Sequence, residues 1–210
     1  MNDLYLIITI SGIHFLALIS PGPDFIIVLK NSVQYSRKIG IFTSIGISLG
    51  IIVHLFYCIT GLALILSTND FILNVFKFLC SGYLIYIGIK SFQTINLNQK
   101  FIKKNSKKTT IYKAIRIGFL TNILNPKVSL FFLSLFSLII IPDELPTYIL
   151  IILIIIITLS TFIWFSLIAI FLTQKSINII LSKHLRYLNK IFGSMLILIG
   201  IRILSSIIYL

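Results

Sequence analysis

The fold is decided at Ser20-Pro21-Gly22-Pro23-Asp24, a stretch that lies inside an apolar run from Leu4 to Leu29. That run is long enough to cross a bilayer, for which about 20 residues suffice. Two prolines and a glycine in close succession remove backbone donors and prevent a regular helix. Backbone that is not helical survives at membrane depth only where protein or a water-filled cavity surrounds it. The stretch therefore predicts a broken membrane helix with a binding site at the break.

The composition indicates an all-α integral membrane protein. The chain has 210 residues, of which 58% are hydrophobic and 11% charged, and its mean hydropathy is +1.07. A soluble domain has about a quarter of its residues charged. The net charge of +13 comes from basic residues between apolar runs, so anionic lipid, and not nucleic acid, is the expected partner. Cys58 and Cys80 lie in separate apolar segments without a C-x-x-C motif, so neither a metal nor a cofactor is predicted.

Six apolar runs are long enough to be transmembrane helices. Most of the 18 basic residues lie in the connections after spans one, three and five, whereas the charged residues outside the spans on the opposite side are all acidic. This bias predicts a multi-pass protein with both termini facing outward. The six predicted spans are Leu4 to Leu29, Ile39 to Leu66, Phe71 to Ile89, Ile117 to Ile141, Tyr148 to Leu172 and Ile191 to Tyr209.

The chain repeats itself weakly. Leu84-Ile85-Tyr86-Ile87-Gly88-Ile89-Lys90 matches Leu196-Ile197-Leu198-Ile199-Gly200-Ile201-Arg202, 112 residues further on, although isoleucine-rich sequence can match by chance. Spans one and four are the two that contain proline within the membrane. We predict six transmembrane helices as two inverted three-helix repeats with broken helices one and four. Residues 1–210 then form one transmembrane domain, with repeat one at about 1–91, a cytoplasmic loop at about 92–116 and repeat two at about 117–210.

Asp24 is the only acidic residue inside a predicted span. A carboxylate at the bilayer centre costs on the order of 3 kcal/mol on insertion scales, so it should face the protein interior. One interpretation is that Asp24 stabilises the N-terminus of the helix that starts at Pro23. The other is that it binds a substrate ammonium group or carries a coupling proton.

The second break is predicted at Asn125-Pro126-Lys127. Asparagine at the N-cap and proline at the first helical position start a helix, and its free N–H groups together with Lys127 would suit an anion. The alternative is a proline kink with a lysine that snorkels to the cytoplasm. Both breaks should lie roughly 10 to 15 Å from the cytoplasmic side, so they can meet. Together they would bind a zwitterion, with its ammonium at Asp24 and its carboxylate at Lys127.

Three further residues of the first two spans are candidates. His14 lies near mid-bilayer on span one, where it is either part of a proton relay or a hydrogen-bonded core histidine. Gly46 and Gly50 form a G-x-x-x-G pattern on span two, which predicts close helix packing within the chain or across a homo-oligomer.

Two motifs resemble those of a known family. The first is the stretch from Ile13 to Phe25, followed by Ser36-Arg37-Lys38, and the second is the stretch from Gly118 to Lys127. At these residues the chain resembles the homoserine/threonine resistance branch of the lysine exporter superfamily. The resemblance implies a bacterial inner-membrane exporter of amino acids that is driven by the proton gradient. Its functional core would be Pro21, Gly22, Pro23, Asp24, Asn125, Pro126 and Lys127.

The leading prediction is secondary active efflux of a small amino acid such as threonine or homoserine, in exchange for protons. Export of a basic or other amino acid is an alternative, and a non-transport membrane assembly protein is another. An enzyme is not predicted, because hydrolysis would require a second carboxylate, a Ser-His pair or a zinc motif, and no second acid lies in any span.

Overall fold

The computed structural model describes residues 3–66, 70–92, 109–139, 146–171 and 175–208. Within these ranges the chain is helical and no residue belongs to a strand, so the all-α prediction is confirmed there. The helices are α1 (Asp3–Ile19), α2 (Pro23–Gln34), α3 (Arg37–Leu66), α4 (Asp70–Lys90), α5 (Ile111–Ile123), α6 (Pro126–Ile139), α7 (Thr147–Phe171) and α8 (Lys175–Ile208).

Three helical stretches are long and apolar enough to cross a membrane alone: Arg37–Gly61, Thr147–Phe171 and Asn189–Ile207. Two more spans result if α1 with α2, and α5 with α6, each count as one bent span. The described residues thus contain three to five candidate spans. The third predicted span corresponds to α4, which has 21 residues and is not among these candidates. The number six therefore stays a prediction.

Both bent pairs have proline at the first residue of the second helix. The axes of α1 and α2 differ by 55°, and those of α5 and α6 differ by 54°. Gly22, between α1 and α2, is extended, with φ −157° and ψ −168°. Proline fits the first helical position because its missing N–H has no intrahelical partner there. The local sequence alone is thus enough to end one helix and start the next.

Two helices begin six or more residues earlier than the sequence pattern predicts. α5 begins at Ile111 instead of Ile117, so the end of the predicted 92–116 loop is helical, and the Thr110 hydroxyl caps the helix by accepting from the Lys113 N–H at 3.2 Å. α8 begins at Lys175 instead of Ile191, and it includes the basic residues that were predicted to lie in a connection. Lysine and arginine are good helix formers. Their charge therefore marks a boundary of the apolar region but does not end a helix.

The G-x-x-x-G pattern of α3 packs against α5 of the same chain. A Cβ atom at Gly46 would collide with the backbone of Ile115, and one at Gly118 would collide with the backbone of Thr43. Small residues at a helix crossing let two backbones approach closely. The sequence left open whether the partner is in the chain or in a second copy, and the structure shows an intrachain contact.

The crossing of α4 and α8 repeats itself at the spacing of 112 residues. A Cβ atom at Gly88 would lie 2.7 Å from both the Gly193 carbonyl oxygen and the Ile197 Cγ1. A Cβ atom at Gly200 would lie 2.9 Å from the Ser81 carbonyl oxygen and 2.8 Å from the Ile85 Cγ1. Exchanging each residue for the one 112 positions away converts the first set of contacts into the second. This helix pair is therefore locally two-fold symmetric.

Candidate functional site

Asp24 is the second residue of α2 and is only 6% exposed. Its Oδ2 accepts hydrogen bonds from the side-chain amides of Asn122 at 2.9 Å and Asn125 at 3.4 Å. Its Oδ1 is buried and has no hydrogen-bond partner among the described residues. The N-cap of α2 is Gly22, and no side chain caps that helix. The carboxylate thus bonds to the second bent pair and leaves one oxygen open.

Asn125 joins the two helix breaks. Its side-chain oxygen accepts from the backbone N–H of Lys127 at 3.1 Å, which caps α6, while its side-chain N–H₂ donates to Asp24. An asparagine can do both because its amide has an acceptor and two donors. The cap also means that the N–H of Lys127 already has a partner, so the N-terminus of α6 offers less to an anion than its sequence suggests.

Lys127 points its ammonium group at the end of α1. Its Nζ donates to the Ser20 hydroxyl at 2.9 Å and to the Ser20 carbonyl oxygen at 3.3 Å, and it lies 4.5 Å from the centre of the Phe192 ring. The Ser20 hydroxyl in turn donates to the Asn189 side chain at 3.1 Å. A carbonyl, a hydroxyl and an aromatic face together make a good environment for a cation. Lys127 therefore links α6 with α1 and α8, while its charge stays close to Asp24.

His14 is a buried, hydrogen-bonded histidine on α1. Its Nε2 lies 3.2 Å from the Thr161 hydroxyl of α7, and its ring stacks on Phe132 with the ring centres 5.6 Å apart. His54 of α3 also stacks on Phe132, at 6.4 Å, and its Nε2 donates to the Asn122 carbonyl oxygen at 3.0 Å. Two histidines thus stack on the same Phe132 ring, and one of them also contacts Asn122, a partner of Asp24. Neither has a direct hydrogen bond to the carboxylate among the contacts that the structure describes.

Asp24, Asn125, Lys127 and His14 line one internal cavity of about 50 Å³. Ser20, Asn122 and Thr161 are its other polar lining residues, and the rest of its walls are mainly aromatic and aliphatic. A second cavity, of about 390 Å³, lies beside Pro21, Pro23 and Pro126 and reaches Lys90 at the end of α4. Gly22, Asn125 and Lys127 line both cavities. The two breaks and Lys127 therefore separate a small inner chamber from a larger chamber on the basic side of the molecule.

Gly46 and Gly50 do not line either of these cavities, but Gly50 supports the site from α3. A Cβ atom at Gly50 would lie 2.5 Å from the Asn122 Oδ1 and 3.0 Å from the Asn122 Cβ. The glycine thus leaves the space in which Asn122 reaches Asp24. Within the described ranges no group of three or more His, Cys, Asp or Glu side chains could hold a metal ion, and Cys58 and Cys80 are buried free thiols.

Sequence reasoning missed Asn122, Asn189, Thr161 and Phe192 as residues of the site. Asn122 had a usable signal, because a carboxamide in the middle of an apolar run is costly unless it has a hydrogen-bonding partner. The search for charged groups overlooked it. Phe192 had no such signal, since an aromatic residue in an apolar helix is ordinary.

The model of the LysE type translocator family matches residues 15–206 of this chain. The chain belongs to the LysE type translocator family. This confirms the resemblance that the two motifs indicated. Membership makes the chain a transporter and not an enzyme, and together with its apolar helices it makes the chain a multi-pass membrane protein.

Several curated proteins are similar to this chain. The threonine efflux protein of Escherichia coli (strain K12) is 31% identical over 138 residues, which cover 64% of this chain and 66% of that protein. The threonine efflux protein of Salmonella typhi is 32% identical over 141 residues, with the same coverage of 64% and 66%. The membrane protein YrhP of Bacillus subtilis (strain 168), which is uncharacterized, is 29% identical over 192 residues, or 88% of this chain and 91% of that protein. No solved structure matches the chain significantly.

Proposed function

We propose that this translocator exports a small neutral amino acid, such as threonine or homoserine, and that proton entry drives the export. One observation carries the proposal: the Asp24 Oδ1 is a buried acceptor without a partner, in a cavity whose walls are mainly aromatic and aliphatic. Two of the similar proteins are named for threonine efflux, which supports the choice of substrate.

Asp24 is the ligand for the ammonium group of the substrate. Its Oδ2 is held by Asn122 and Asn125, so the open Oδ1 has a fixed direction. A buried acceptor without a donor is unfavourable, and an ammonium group provides three N–H donors. The apolar walls, which include Phe131 and Phe165, suit a small side chain better than a second charge. A basic amino acid therefore fits this cavity less well than a neutral one.

Lys127 takes the carboxylate of the substrate by exchange. Its ammonium group is bonded to Ser20 in this structure, so a carboxylate must replace the Ser20 oxygens as its partner. A charged partner makes the stronger hydrogen bond, which favours the exchange. A cavity of about 50 Å³ has room for only a few water molecules. Binding of an amino acid therefore requires the site to widen, and release of Lys127 from Ser20 loosens the contact between α1 and α6.

Proton coupling follows from the same carboxylate. If Asp24 alternates between a substrate ammonium group and a proton, each occupant neutralises it in turn. The two occupied forms can then favour inward-open and outward-open conformations to different extents, which is the condition for coupled exchange. His14 is the candidate for passing the proton, because it is a titratable side chain that lines the same cavity.

The proposed architecture is six spans in two inverted repeats, in the bacterial inner membrane, with both termini outside. The exchange of contacts at the α4–α8 crossing under a shift of 112 residues supports the repeat. So do the two bends of nearly equal angle, 55° and 54°, at the start of each half. Inverted repeats with broken helices that meet at the site are common in secondary transporters.

The test is an efflux assay on cells that produce either the native chain or Asp24→Asn. Cells are loaded with a threonine-containing dipeptide, and internal and external threonine are followed over time. We expect faster efflux with the native chain only, because an amide cannot neutralise an ammonium group or carry a proton. Equally fast efflux from both, above that of cells without the protein, would exclude the role of Asp24. Efflux from both that is no faster than from cells without the protein would remove threonine as the substrate and lead to a panel of other amino acids.

A further inference from the structure

Helices α1 and α7 lie side by side and run in the same direction. Near the start of both, the Tyr148 hydroxyl donates to the Asp3 carboxylate, and further along both, the His14 Nε2 contacts the Thr161 hydroxyl at 3.2 Å. Two contacts in the same order along both helices show that the pair is parallel, and the His14–Thr161 contact sets its register near the cavity. One face of α1 can therefore be compared with one face of α7, level by level.

Ser11 and Thr158 lie one helical turn before His14 and Thr161. Each is three residues earlier on its own helix, and residues at that spacing share a face. With the register fixed, Ser11 and Thr158 lie at the same level. We call these four residues, Ser11, His14, Thr158 and Thr161, the α1–α7 seam. The four residues form two successive polar levels along this helix pair.

Three of the five polar side-chain atoms of the seam lack partners. The described residues contain seven buried side-chain polar atoms without a hydrogen bond, and three belong to the seam: the Ser11 hydroxyl, the His14 Nδ1 and the Thr158 hydroxyl. Two others belong to Asp24 and Asn122 of the cavity, and the last two, the Trp164 Nε1 and the Ser166 hydroxyl, lie on α7 outside the seam. Five of the seven unpartnered atoms are therefore in the cavity or in the seam that leads from it.

Most other buried hydroxyl groups of this chain do find a partner. Ser32, Ser44 and Thr161 each donate to the carbonyl oxygen four residues earlier, at 2.7, 3.0 and 2.8 Å. This bond is available to any serine or threonine within a helix. Ser11 and Thr158 do not make it. Polar groups left unpaired at membrane depth are unfavourable unless another conformation brings water or solute to them.

The seam starts at the cavity and leads away from the second chamber. His14 and Thr161 line the inner cavity, whereas Ser11 and Thr158 continue toward the N-terminal ends of α1 and α7. We propose that the outer half of the solute path runs along the α1–α7 seam, where the two helices separate to admit water and a hydrogen-bonding solute. The identity of that solute rests on the proposed function. Neutral hydroxyl and imidazole groups suit a path, because they bond to a zwitterion without holding it as a full charge would.

The test is the labelling of single cysteines by a membrane-impermeant maleimide. Cys58 and Cys80 are first replaced by alanine, and Ser11→Cys and Thr158→Cys are then made separately in that background. Leu159→Cys is the matched control, since its side chain lies next to Thr158 but is 53% exposed toward the lipid. Ile157→Cys is the control for a packed core, because Ile157 is fully buried. Labelling after denaturation and the amount of protein in the membrane show that each thiol is present in a folded chain.

We expect Ser11→Cys and Thr158→Cys to react in intact cells roughly ten times faster than either control, because only a hydrated thiol reacts readily with a polar reagent. Rates no faster than those of Leu159→Cys and Ile157→Cys would overturn the proposal. Reaction of only one of the two would also overturn it, since a path between two helices must reach both. Reaction in inside-out vesicles but not in intact cells would place the seam in the inner half of the path, which would also overturn the proposal.

The labelling result is independent of the substrate. Labelled seam cysteines in a chain that exports no amino acid would leave the path standing and remove the proposed function. Export by the native chain with no labelling of either seam cysteine would remove the path and leave the proposed function standing.

Discussion

At the scale of single residues, neutral side chains hold both charged groups of the candidate site. Asp24 and Lys127 do not bond to each other; Asn122 and Asn125 hold the carboxylate, and Ser20 holds the ammonium group. A direct ion pair would satisfy both charges and leave little to attract a zwitterion. Separate neutral partners keep each charge in place and available.

Asn122→Ala is therefore expected to weaken export although it removes no charge. It takes away the shorter of the two hydrogen bonds to Asp24 Oδ2, at 2.9 Å. A hydrogen bond to a charged group contributes about 1.5 to 3 kcal/mol, so the efflux rate should fall roughly tenfold or more. The measurement is initial efflux at equal amounts of protein in the membrane.

Thr121→Ala is the control for that substitution, because Thr121 is the neighbour of Asn122 on α5 and does not line the cavity. It should export at close to the native rate. Native export by Asn122→Ala would mean that Asn125 alone is enough to position the carboxylate.

At the scale of helices, close packing positions the carboxamides. α3 and α5 cross through Gly46 and Gly118, and Gly50 leaves room for the Asn122 side chain. Helix α5 is one arm of a bent pair, so its position relative to α3 also sets where the second break lies. The small residues of α3 thus determine the geometry of the site without contributing a group to it.

Gly50→Ala is expected to lower both export and thermal stability. The new methyl group would lie 2.5 Å from the Asn122 Oδ1, so Asn122 or the whole helix must shift. Overpacking of this kind costs about 1 to 3 kcal/mol. The readouts are efflux and the melting temperature of the purified protein in detergent.

Gly61→Ala is the matched control in the same helix, since nothing lies within 4 Å of a Cβ atom there. It should be neutral or should stabilise the helix by up to about 1 kcal/mol. Equal effects of the two substitutions would show that glycine is required in α3 for a reason other than the contact with Asn122.

At the scale of the whole molecule, two bent helix pairs meet at the site, and α4 and α8 cross with local two-fold symmetry. The partners on Asp24 come from 98 and 101 residues further along the chain. The first half of the chain thus provides the carboxylate, and the second half provides the two amides that hold it. In the proposed inverted repeat, the two halves could exchange conformations, as the proposed transport mechanism requires.

Gly88→Ala and Gly200→Ala are expected to destabilise the protein equally. The new methyl groups would lie 2.7 Å and 2.9 Å from the equivalent carbonyl oxygens of Gly193 and Ser81. Each should cost about 1 to 3 kcal/mol, and melting temperatures in detergent measure the difference. Gly82→Ala on α4 is the control, because a Cβ atom at that position has no neighbour within 4 Å. Clearly unequal losses for the two glycines would contradict the two-fold relation between the halves.

The sequence by itself determined the helical class, the family and the two breaks. Proline fixes φ and lacks an N–H wherever it stands, so Pro23 and Pro126 start new helices without any help from the rest of the fold. The same local reasoning identified Asp24, Asn125 and Lys127, which do line one cavity. Helix ends were less predictable, because the basic residues at the start of α8 end an apolar run but favour a helix.

Only the tertiary structure decided which side chains meet. That Asn122 bonds Asp24, that Lys127 lies over Phe192 and that α3 packs on its own α5 all depend on the relative positions of helices far apart in the chain. No local preference encodes those positions, because in a largely apolar sequence most helix faces could pack against most others. The direction of Lys127 has the same cause. Its place after Pro126 made it a predicted site residue, but its partner, Ser20, depends on where α1 ends.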